Sequence, residues 1–376
     1  MNRRVRAVVL GYYGRWNLGD DLMARDVAAA LSSAGRTVRM LSGDSYLAGI
    51  VSGAHVRIVP RNVTGVLRAL IWCDELIFAG GTVFHDSFTD AEFHAYLRHL
   101  KLYAWLFRGA RLAGKRVRLV GIGLGPLRRP AARAAARRAL NAANTLYLRD
   151  QASMTEAEAL NAGPAPVLGP DLSMLGAQML GACGRAVPVE NRLGVSILDM
   201  SSFLPVGASD VFWTPICEAV AARLEAEPDL KLTVFAFWTA PGRPGDHAVA
   251  ERFIQALPER VRDQAHLCTY AGDLDAVVKE LARCRAILAT RFHAAVLARV
   301  LGRSFAVISY NRKVSDFAND QGLPAKLRLP GDRVSSAGEV CAVIDALLCA
   351  NTELGVQTEQ AAAEARRAVN AVLKAG

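Results

Sequence analysis

Short apolar runs rich in Val, Ile, Leu and Phe alternate along this chain with longer segments rich in Ala, Leu and Arg. In the first half, the runs predicted to be strands are "RAVVLGYY", "VRMLS", "VRIVP", "ELIFAGG", "RVRLVGIGLG" and "TLYLRD". The alternation restarts with "RLGVSIL" and continues through "KLTVFAFW", "HLCTYAG", "AILA" and "SFAVISY". Continuously apolar strands separated by helical segments are typical of a parallel sheet covered on both faces. The pattern therefore predicts an α/β protein with two sheets.

A stretch rich in Gly, Pro and Ala, from Gly163 to Glu190, separates the two halves and is the best candidate for a domain boundary. We expect one doubly wound, Rossmann-like domain in residues 1–180, a second in residues 190–350, and a C-terminal helix in residues 351–376. Two such domains joined by a short linker imply a cleft between them. Ligands of open α/β sheets bind beyond the carboxyl ends of the strands, so the residues after each strand are the candidates for chemistry.

The composition is that of a globular protein with a substantial core: of the 376 residues, 52% are hydrophobic and 21% are charged. The formal net charge of +10 is compatible with nucleic acid, an acidic membrane surface or an anionic small substrate as partner. No run of Lys and Arg is interleaved with aromatic residues, which disfavours nucleic acid.

Cysteine usage and hydropathy bear on localisation. The seven cysteines are odd in number and none forms a CxxC motif, which indicates buried free thiols in a reducing compartment. The apolar run near the N-terminus is too short for a signal peptide, and no stretch reaches the roughly 18 apolar residues of a spanning helix. We therefore expect a cytoplasmic protein, and leave open a peripheral contact with the inner face of the membrane.

The first strand leads into "GYYGRWNLGDDLM", where glycines precede a predicted helix and Asn17, Asp20 and Asp21 stand near its start. Capping of the helix explains one Asp well. Capping explains three polar residues among several glycines less well, and a glycine-rich turn that opens a helix can also receive an anion or a sugar hydroxyl. These residues are therefore candidates for ligand binding.

Two further strand ends in the first half leave alternatives open. Gly80 and Gly81 form either a tight turn or a place where a ligand approaches the backbone closely. His85, shortly after them, is either a surface or capping residue or part of a site. Arg149, at the end of "TLYLRD", either forms an ion pair within the protein or presents its guanidinium to an anion.

The strongest candidates lie in "CRAILATRFHAAVLA", where Thr290, Arg291 and His293 fall between a strand and a helix. A helix N-terminus and a guanidinium favour an anion at the same place. A lone His is more often a core residue, but Arg-x-His at a strand-to-helix switch favours function. Lys313 follows the next strand, in a predicted loop, and joins this site only if that loop folds back toward Arg291; otherwise it is a surface lysine.

Together these motifs resemble the polysaccharide pyruvyl transferase family. "GYYGRWNLGDD" resembles the family's N-terminal signature, "FAGGT" its glycine turn and "GIGLGPL" its G-x-G-x-GP loop. "LRDQAS" and "GPDLSML" resemble two internal segments, and "TRFHAAVLARVLGRSFAVISYNRKVSDF" resembles the C-terminal signature, with Ser304 in place of the usual Pro. The resemblance runs in order from Gly11 to Phe317.

The resemblance implies a fold like that of the GT-B glycosyltransferases. It also implies transfer of the enolpyruvyl-derived group of phosphoenolpyruvate to two hydroxyls of a sugar, which forms a pyruvate ketal and releases phosphate. Phosphoenolpyruvate is then the donor substrate on the C-terminal domain, the sugar acceptor binds the N-terminal domain, and neither a metal nor a cofactor is expected. Whether the acceptor is a polymer or a lipid-linked precursor, which sugar it contains, and the oligomeric state stay open.

The implied roles fall on the candidate residues. His293 is the expected general acid/base, because imidazole titrates near neutral pH, and Arg291 is the expected bidentate partner of the phosphate. The other residues expected to bind phosphoenolpyruvate are Arg149, Lys313 and Thr290. The residues expected to bind the acceptor are Asn17, Asp20, Asp21, Gly80, Gly81 and His85.

Two alternatives to this function stay open. A nucleotide-sugar-dependent GT-B glycosyltransferase of polysaccharide biosynthesis would share the architecture and bind a UDP- or GDP-sugar in its second domain. A sugar- or nucleotide-binding regulatory protein would keep the fold without turnover, although Arg291, His293 and Asp20 argue against it.

Overall fold

The computed structural model describes residues 4–51, 53–86, 90–204, 208–242, 245–350 and 355–374. The chain folds into two compact units. The first comprises Met1–Arg15, Asp20–Gly176 and Gln360–Gly376, and the second comprises Trp16–Gly19 and Ala177–Glu359. Residues 351–354, with which we expected the C-terminal helix to begin, lie outside the described residues.

The strands are short and mostly buried. The first unit contains β1 (Val5–Leu10), β2 (Arg36–Ser42), β3 (Val56–Pro60), β4 (Glu75–Ala79), β5 (Thr82–Phe84), β6 (Arg116–Leu124), β7 (Thr145–Leu148) and β8 (Pro166–Leu168). The second unit contains β9 (Glu190–Ile197), β10 (Lys231–Ala236), β11 (Ala265–Thr269), β12 (Cys284–Ala289), β13 (Ser304–Ser309) and β14 (Arg328–Pro330).

Helices occupy most of the connections between strands. In chain order they are α1 (Leu18–Ser33), α2 (Leu47–Ile50), α3 (Val63–Trp72), α4 (Asp90–Leu112), α5 (Pro130–Ala142), α6 (Gln151–Leu160), α7 (Ala177–Ala186), α8 (Ala208–Ala226), α9 (Gly245–Ala256), α10 (Glu259–Arg262), α11 (Leu274–Arg283), α12 (Phe292–Val300), α13 (Arg312–Asp320), α14 (Ala337–Leu348) and α15 (Gly355–Lys374). Three 3₁₀ turns complete them: Leu172–Gly176, Met200–Ser202 and Ala325–Leu327.

Both sheets are parallel, as the continuous apolar runs predicted. The strand order of the first is β3-β2-β1-β4-β6-β7-β8, with β5 paired to β6. The order of the second is β11-β10-β9-β12-β13-β14. Each order reverses direction once, at β1 in the first sheet and at β9 in the second, which is the point where open α/β sheets bind ligands. The predicted fold of two doubly wound α/β domains is confirmed.

The core of the first unit lies under the helices that follow its central strands. Phe78 of β4 packs edge-on against Phe107 of α4, with ring centroids 5.7 Å apart, and both side chains are buried. Alanines of α5 such as Ala136 and Ala139 are also buried, because their small side chains let this helix approach α4 closely. The arginines of α5 lie on the opposite, outer side of the helix.

Helix α15 is held to the first unit by a buried ion cluster. Glu75 of β4 accepts hydrogen bonds from Arg118 Nε at 2.9 Å and from Arg36 Nε at 3.1 Å. Arg36 also donates to the carbonyl of Leu373, and Arg118 donates to the carbonyl of Val372, near the end of α15. Cations at a helix C-terminus stabilise its free carbonyls, so the two arginines hold α15 near the amino-terminal ends of β2, β4 and β6.

The Gly- and Pro-rich stretch predicted as a boundary is largely folded. It contributes β8 and a 3₁₀ turn to the first unit and α7 to the second, and the two units divide between Gly176 and Ala177. Among the described residues, no helix combines the length and the apolar character needed to cross a membrane.

Candidate functional site

The main candidate site lies at the carboxyl end of β12 in the second unit. Ala289, the last residue of β12, pairs with Ser196 of β9, so the chain turns into α12 beside β9. There the backbone N–H of Arg291 donates to Oγ of Ser196 at 3.2 Å. Thr290 is fully buried, and its Oγ1 has no hydrogen-bond partner within the described part of the chain. Arg291 is the N-cap residue of α12, but its side chain does not cap the helix.

The side chain of Arg291 is bound to a buried carboxylate that the sequence analysis did not identify. Its Nε donates to Oδ2 of Asp246 at 2.8 Å, and its Nη2 donates to Oδ1. Asp246 is fully buried in the first turn of α9 and also accepts backbone N–H bonds from Trp238 at 2.9 Å and Asp199 at 3.2 Å. The bidentate pair fixes the plane of the guanidinium. A phosphate bound here would therefore contact the guanidinium of Arg291, which Asp246 already holds in one orientation.

His293 follows in the first turn of α12 and contacts a residue from the far end of the chain. Its ring lies edge-on to Phe292, with centroids 5.1 Å apart, and its half-buried imidazole lies against Gly19. A Cβ atom at Gly19 would overlap with the imidazole ring. Glycine is therefore required at position 19 for His293 to keep this place.

The segment Trp16–Gly19 reaches His293 because it pairs with the end of β10. Asn17 forms an antiparallel bridge with Trp238, and the N–H of Leu18 donates to the carbonyl of Phe237 at 3.0 Å. Within the segment, Oδ1 of Asn17 accepts from the N–H of Gly19 at 3.2 Å. The predicted acceptor residue Asn17 and the predicted acid/base His293 are therefore connected through Gly19.

Lys313 lies in a helix, and our prediction of a loop at this place was wrong. Asn311 caps α13 by accepting from the N–H of Val314 at 3.2 Å, so the helix begins directly after β13. Nζ of Lys313 lies 5.7 Å from the ring centroid of Phe292. Lys313 lies close to α12 because α12 and α13 follow the neighbouring parallel strands β12 and β13. This arrangement does not require a loop that folds back toward Arg291.

The two aspartates of the N-terminal motif have different environments in the first unit. Asp21 is fully buried; its Oδ1 accepts from the N–H of Gly14 at 2.9 Å and its Oδ2 accepts from the hydroxyl of Tyr46. The carboxylate of Asp21 therefore holds the glycine-rich turn, and its expected contact with an acceptor stays a prediction. Asp20 is half-buried in the first turn of α1, and its role toward an acceptor stays a prediction.

The glycines after β4 have backbone conformations that favour glycine. Gly80 and Gly81 have φ angles of 72° and 78°. A Cβ at Gly80 would lie 3.0 Å from Sδ of Met23, so this glycine lies against the core, whereas a Cβ at Gly81 would meet only a methyl of Val83 at 3.7 Å. The tight-turn interpretation accounts for Gly80, and ligand binding at Gly81 stays a prediction.

Arg149 forms the ion pair that was one of its two alternatives. It is buried, its Nη1 donates to Oδ2 of Asp171 at 3.1 Å, and its Nη2 donates to Oγ1 of Thr82 at 2.5 Å. Its neighbour Asp150 caps α6 by accepting from the N–H of Ser153 at 2.7 Å. The guanidinium of Arg149 is therefore engaged by groups of its own unit.

His85 contacts an aromatic side chain of its own unit. Its ring centroid lies 5.2 Å from that of Tyr96 of α4, at an interplanar angle of 50°. No group of three His, Cys, Asp or Glu side chains arranged to hold a metal occurs among the described residues.

Comparisons with known proteins agree with the fold and with the motifs. The family model described as polysaccharide pyruvyl transferase matches residues 17–312. No curated protein matches the chain by sequence. Solved structures with similar folds include the UDP-GlcNAc 2-epimerase from Methanocaldococcus jannaschii, with a TM-score of 0.62 and 10% identity over 98% of this chain and 99% of that chain.

Two others have the same two-domain architecture. The UDP-GlcNAc 2-epimerase from Neisseria meningitidis bound to UDP-GlcNAc has a TM-score of 0.59 and 10% identity over 98% of this chain and 99% of that chain. A glycosyltransferase from Rickettsia africae has a TM-score of 0.54 and 10% identity over 100% of this chain and 94% of that chain. These structures show a GT-B-like fold, and the family match spans most of the sequence. The chain therefore belongs to the polysaccharide pyruvyl transferase family.

Proposed function

We propose that this protein moves the enolpyruvyl-derived group of phosphoenolpyruvate onto two hydroxyls of a sugar in a surface polysaccharide or its lipid-linked precursor. The products are a pyruvate ketal and phosphate. Family membership supports the proposal. The observation that carries it is the arrangement around Phe292, where Arg291 and His293 open α12 and Lys313 lies over the aromatic ring.

The donor carries a phosphate and a carboxylate, and this site offers groups that bind anions. Helices α12 and α13 begin beyond neighbouring strands, and the N-terminus of a helix favours negative charge. Arg291 is held in one orientation by Asp246, and the buried hydroxyl of Thr290 is a candidate donor to a phosphate oxygen. Lys313 is the proposed second cation. Arg149 is left out of this proposal, because its guanidinium is occupied by Asp171 and Thr82.

The proposed reaction balances without an oxidant or a metal. A proton from His293 adds to the methylene carbon of phosphoenolpyruvate, which becomes a methyl group, and positive charge develops on the neighbouring carbon. A first sugar hydroxyl attacks that carbon and loses its proton, the C–O bond to phosphate breaks, and a second hydroxyl attacks the same carbon. Of the two hydroxyl protons, one returns to His293 and the other leaves with phosphate. His293 therefore acts as acid and then as base.

The acceptor side of the proposal rests on the N-terminal motif. Asn17 is the first candidate to orient a sugar hydroxyl, because it binds Gly19, which lies against His293. Asp20 is the candidate for a further hydroxyl contact. Gly81 and His85 remain candidates at the edge of the first sheet.

The test follows phosphate release and the mass of the acceptor in mixtures of protein, phosphoenolpyruvate and candidate glycans. We expect phosphate release that depends on the acceptor, together with a mass gain that corresponds to a pyruvate ketal. His293→Gln should lower turnover about 10²- to 10⁴-fold, the range for loss of a general acid/base. His266→Gln, at an exposed position of β11 in the same unit, is the matched control. Full activity of His293→Gln would contradict the proposed role.

The fold also favours one alternative function. The similar structures are UDP-sugar epimerases and glycosyltransferases, so a nucleotide-sugar-dependent glycosyltransferase is the second candidate. Thermal unfolding with phosphoenolpyruvate or with UDP-GlcNAc separates the two, because a ligand raises the melting temperature only if it binds the folded protein. A shift with UDP-GlcNAc alone would favour the glycosyltransferase.

A further inference from the structure

Helices α4 and α5 of the first unit enclose a surface groove of about 720 Å³. The side chains that give it its character are Lys101, Trp105, Arg108, Arg111, Leu112 and Arg138. They combine large apolar groups with cations, and carboxylates are absent from the lining. We call this surface the α4–α5 groove.

The apolar part of the α4–α5 groove is open to solvent. Trp105 is 68% exposed and Leu112 is 79% exposed, and Leu102 on the same side of α4 is 62% exposed. Their spacing of three and seven residues places them on one helix face. A soluble surface rarely exposes large side chains in such a row, so the face is suited to an apolar partner.

All the charged side chains that line the groove are positively charged. From Arg98 to the end of α4 there are four cationic residues and no acidic ones, and α5 has three arginines and no acidic residue. Within the described part of the chain, Lys101, Arg108 and Arg138 form no salt bridges. A second copy of the same face would place cation against cation, which disfavours self-association. The complementary surface is therefore negatively charged.

We propose that the α4–α5 groove docks on the surface of a bilayer that contains anionic phospholipids. Trp is enriched at the membrane–water interface, and Lys and Arg can extend their charged ends to phosphate while their stems lie on apolar groups. Leu102 and Leu112 would enter the acyl boundary, for which a nucleic acid has no counterpart. The inference does not depend on the proposed reaction, because it rests on the outer face of α4 and α5 alone.

Co-sedimentation of the full chain with vesicles tests the proposal. We expect binding to vesicles of equimolar phosphatidylcholine and phosphatidylglycerol, and none to phosphatidylcholine alone. Each neutralised cation should lower the partition coefficient about fivefold, so Arg108→Gln with Arg138→Gln should lower it about 25-fold. Trp105→Ala with Leu112→Ser should weaken binding further and remove the part that persists at high salt. Val211→Ser and Lys326→Gln, exposed in the second unit, are matched controls.

Several outcomes would overturn the proposal. These are absence of binding to the anionic vesicles, equal binding to neutral vesicles, or an equal loss in the control variants. Displacement by millimolar inorganic pyrophosphate, but not by sulfate of the same ionic strength, would indicate a site for a free diphosphate. Tight binding of single-stranded RNA that depends on Arg108 and Arg138 but not on Trp105 or Leu112 would indicate a nucleic-acid surface. Circular dichroism on every variant shows whether it is folded.

Discussion

Gly19 lies against the imidazole ring of His293, although the two residues belong to opposite halves of the sequence. The contact exists because Trp16–Gly19 pairs with the end of β10, which only β9 separates from β12, the strand that leads into α12. It physically joins the two motifs through which the chain resembles its family. Because Gly19 of the N-terminal signature has no side chain, it leaves room for the imidazole ring of His293 from the C-terminal signature.

Gly19→Ala should displace His293 and leave the protein folded. The added methyl group overlaps with the imidazole, which is the mobile end of a side chain and can rotate away. Because a displacement of about 1 Å in a catalytic group can lower a rate about 100-fold, we expect a loss of that order in turnover. Steady-state kinetics with phosphoenolpyruvate and acceptor would measure it.

Gly338→Ala is the matched control for that substitution. Gly338 is the second residue of α14, as Gly19 is the second residue of α1, and nothing lies within 4 Å of a Cβ placed there. We expect unchanged turnover and a slightly higher stability, because Ala is the better helix former. Equal turnover of the two variants would show that the contact between Gly19 and His293 is unimportant for activity.

Asp246→Asn should destabilise the protein strongly. The substitution removes the negative charge of the fully buried Asp246 carboxylate and leaves the guanidinium of Arg291, whose side chain is 18% exposed, beside a neutral amide. Breaking one side of a buried ion pair costs about 3–5 kcal/mol in the free energy of unfolding. Urea denaturation followed by circular dichroism would measure the loss.

An exposed ion pair of the same unit provides the comparison. Asp210 pairs with Arg252 at 3.0 Å, but both side chains are more than half exposed. Asp210→Asn should therefore cost less than about 1 kcal/mol. If Asp246→Asn cost no more than Asp210→Asn, the buried pair would not be what orients Arg291.

Lys313→Met should weaken binding of phosphoenolpyruvate with little effect on turnover. Met keeps the apolar contact with Phe292 but removes the charge. A hydrogen bond to a charged group contributes about 1.5–3 kcal/mol, so we expect KM for phosphoenolpyruvate to rise roughly 10- to 100-fold. Lys326→Met, at an exposed position of the same unit, should leave KM unchanged. An unchanged KM in Lys313→Met would show that Lys313 does not bind phosphoenolpyruvate and is a surface lysine.

Local patterns in the sequence predicted the parts of the site that depend on one strand and the helix after it. Thr290, Arg291 and His293 lie at the junction of β12 and α12 as expected, because apolar periodicity identifies both elements. The start of α13 had a signal that was missed: Asn311 is a good N-cap residue, and Val314 and Ala318 mark one helix face.

Other parts of the site depend on contacts between distant segments. Asp246 stands at the start of a helix, where capping is the ordinary explanation for Asp, and only the fold brings it to Arg291. In the same way, only the fold brings Asp21 to the hydroxyl of Tyr46, which lies 25 residues away in the sequence. The periodicity of apolar residues carries no information on pairs that are distant in the sequence, so these partners of Asp246 and Asp21 could not be predicted from it.

Asp26 should make the stability of the protein fall as pH rises. Burial in α1 raises the pKa of its carboxyl to about 6, and neighbouring Arg25 and the backbone of Gly176 only partly offset this effect. In the unfolded chain an Asp has a pKa near 4. Between about pH 4 and pH 6 the folded protein therefore binds the additional proton, and the free energy of unfolding decreases with increasing pH across this window.

Asp26→Asn removes this titration, since an amide has no charge to bury. We expect the variant to be more stable than the parent above about pH 6, by up to about 3 kcal/mol, and nearly equal to it at about pH 4. Urea denaturation at both pH values measures the difference, with Asp229→Asn at an exposed position as the control. A variant that is less stable than the parent at high pH would show instead that the ion pair with Arg25 outweighs the burial of the carboxylate.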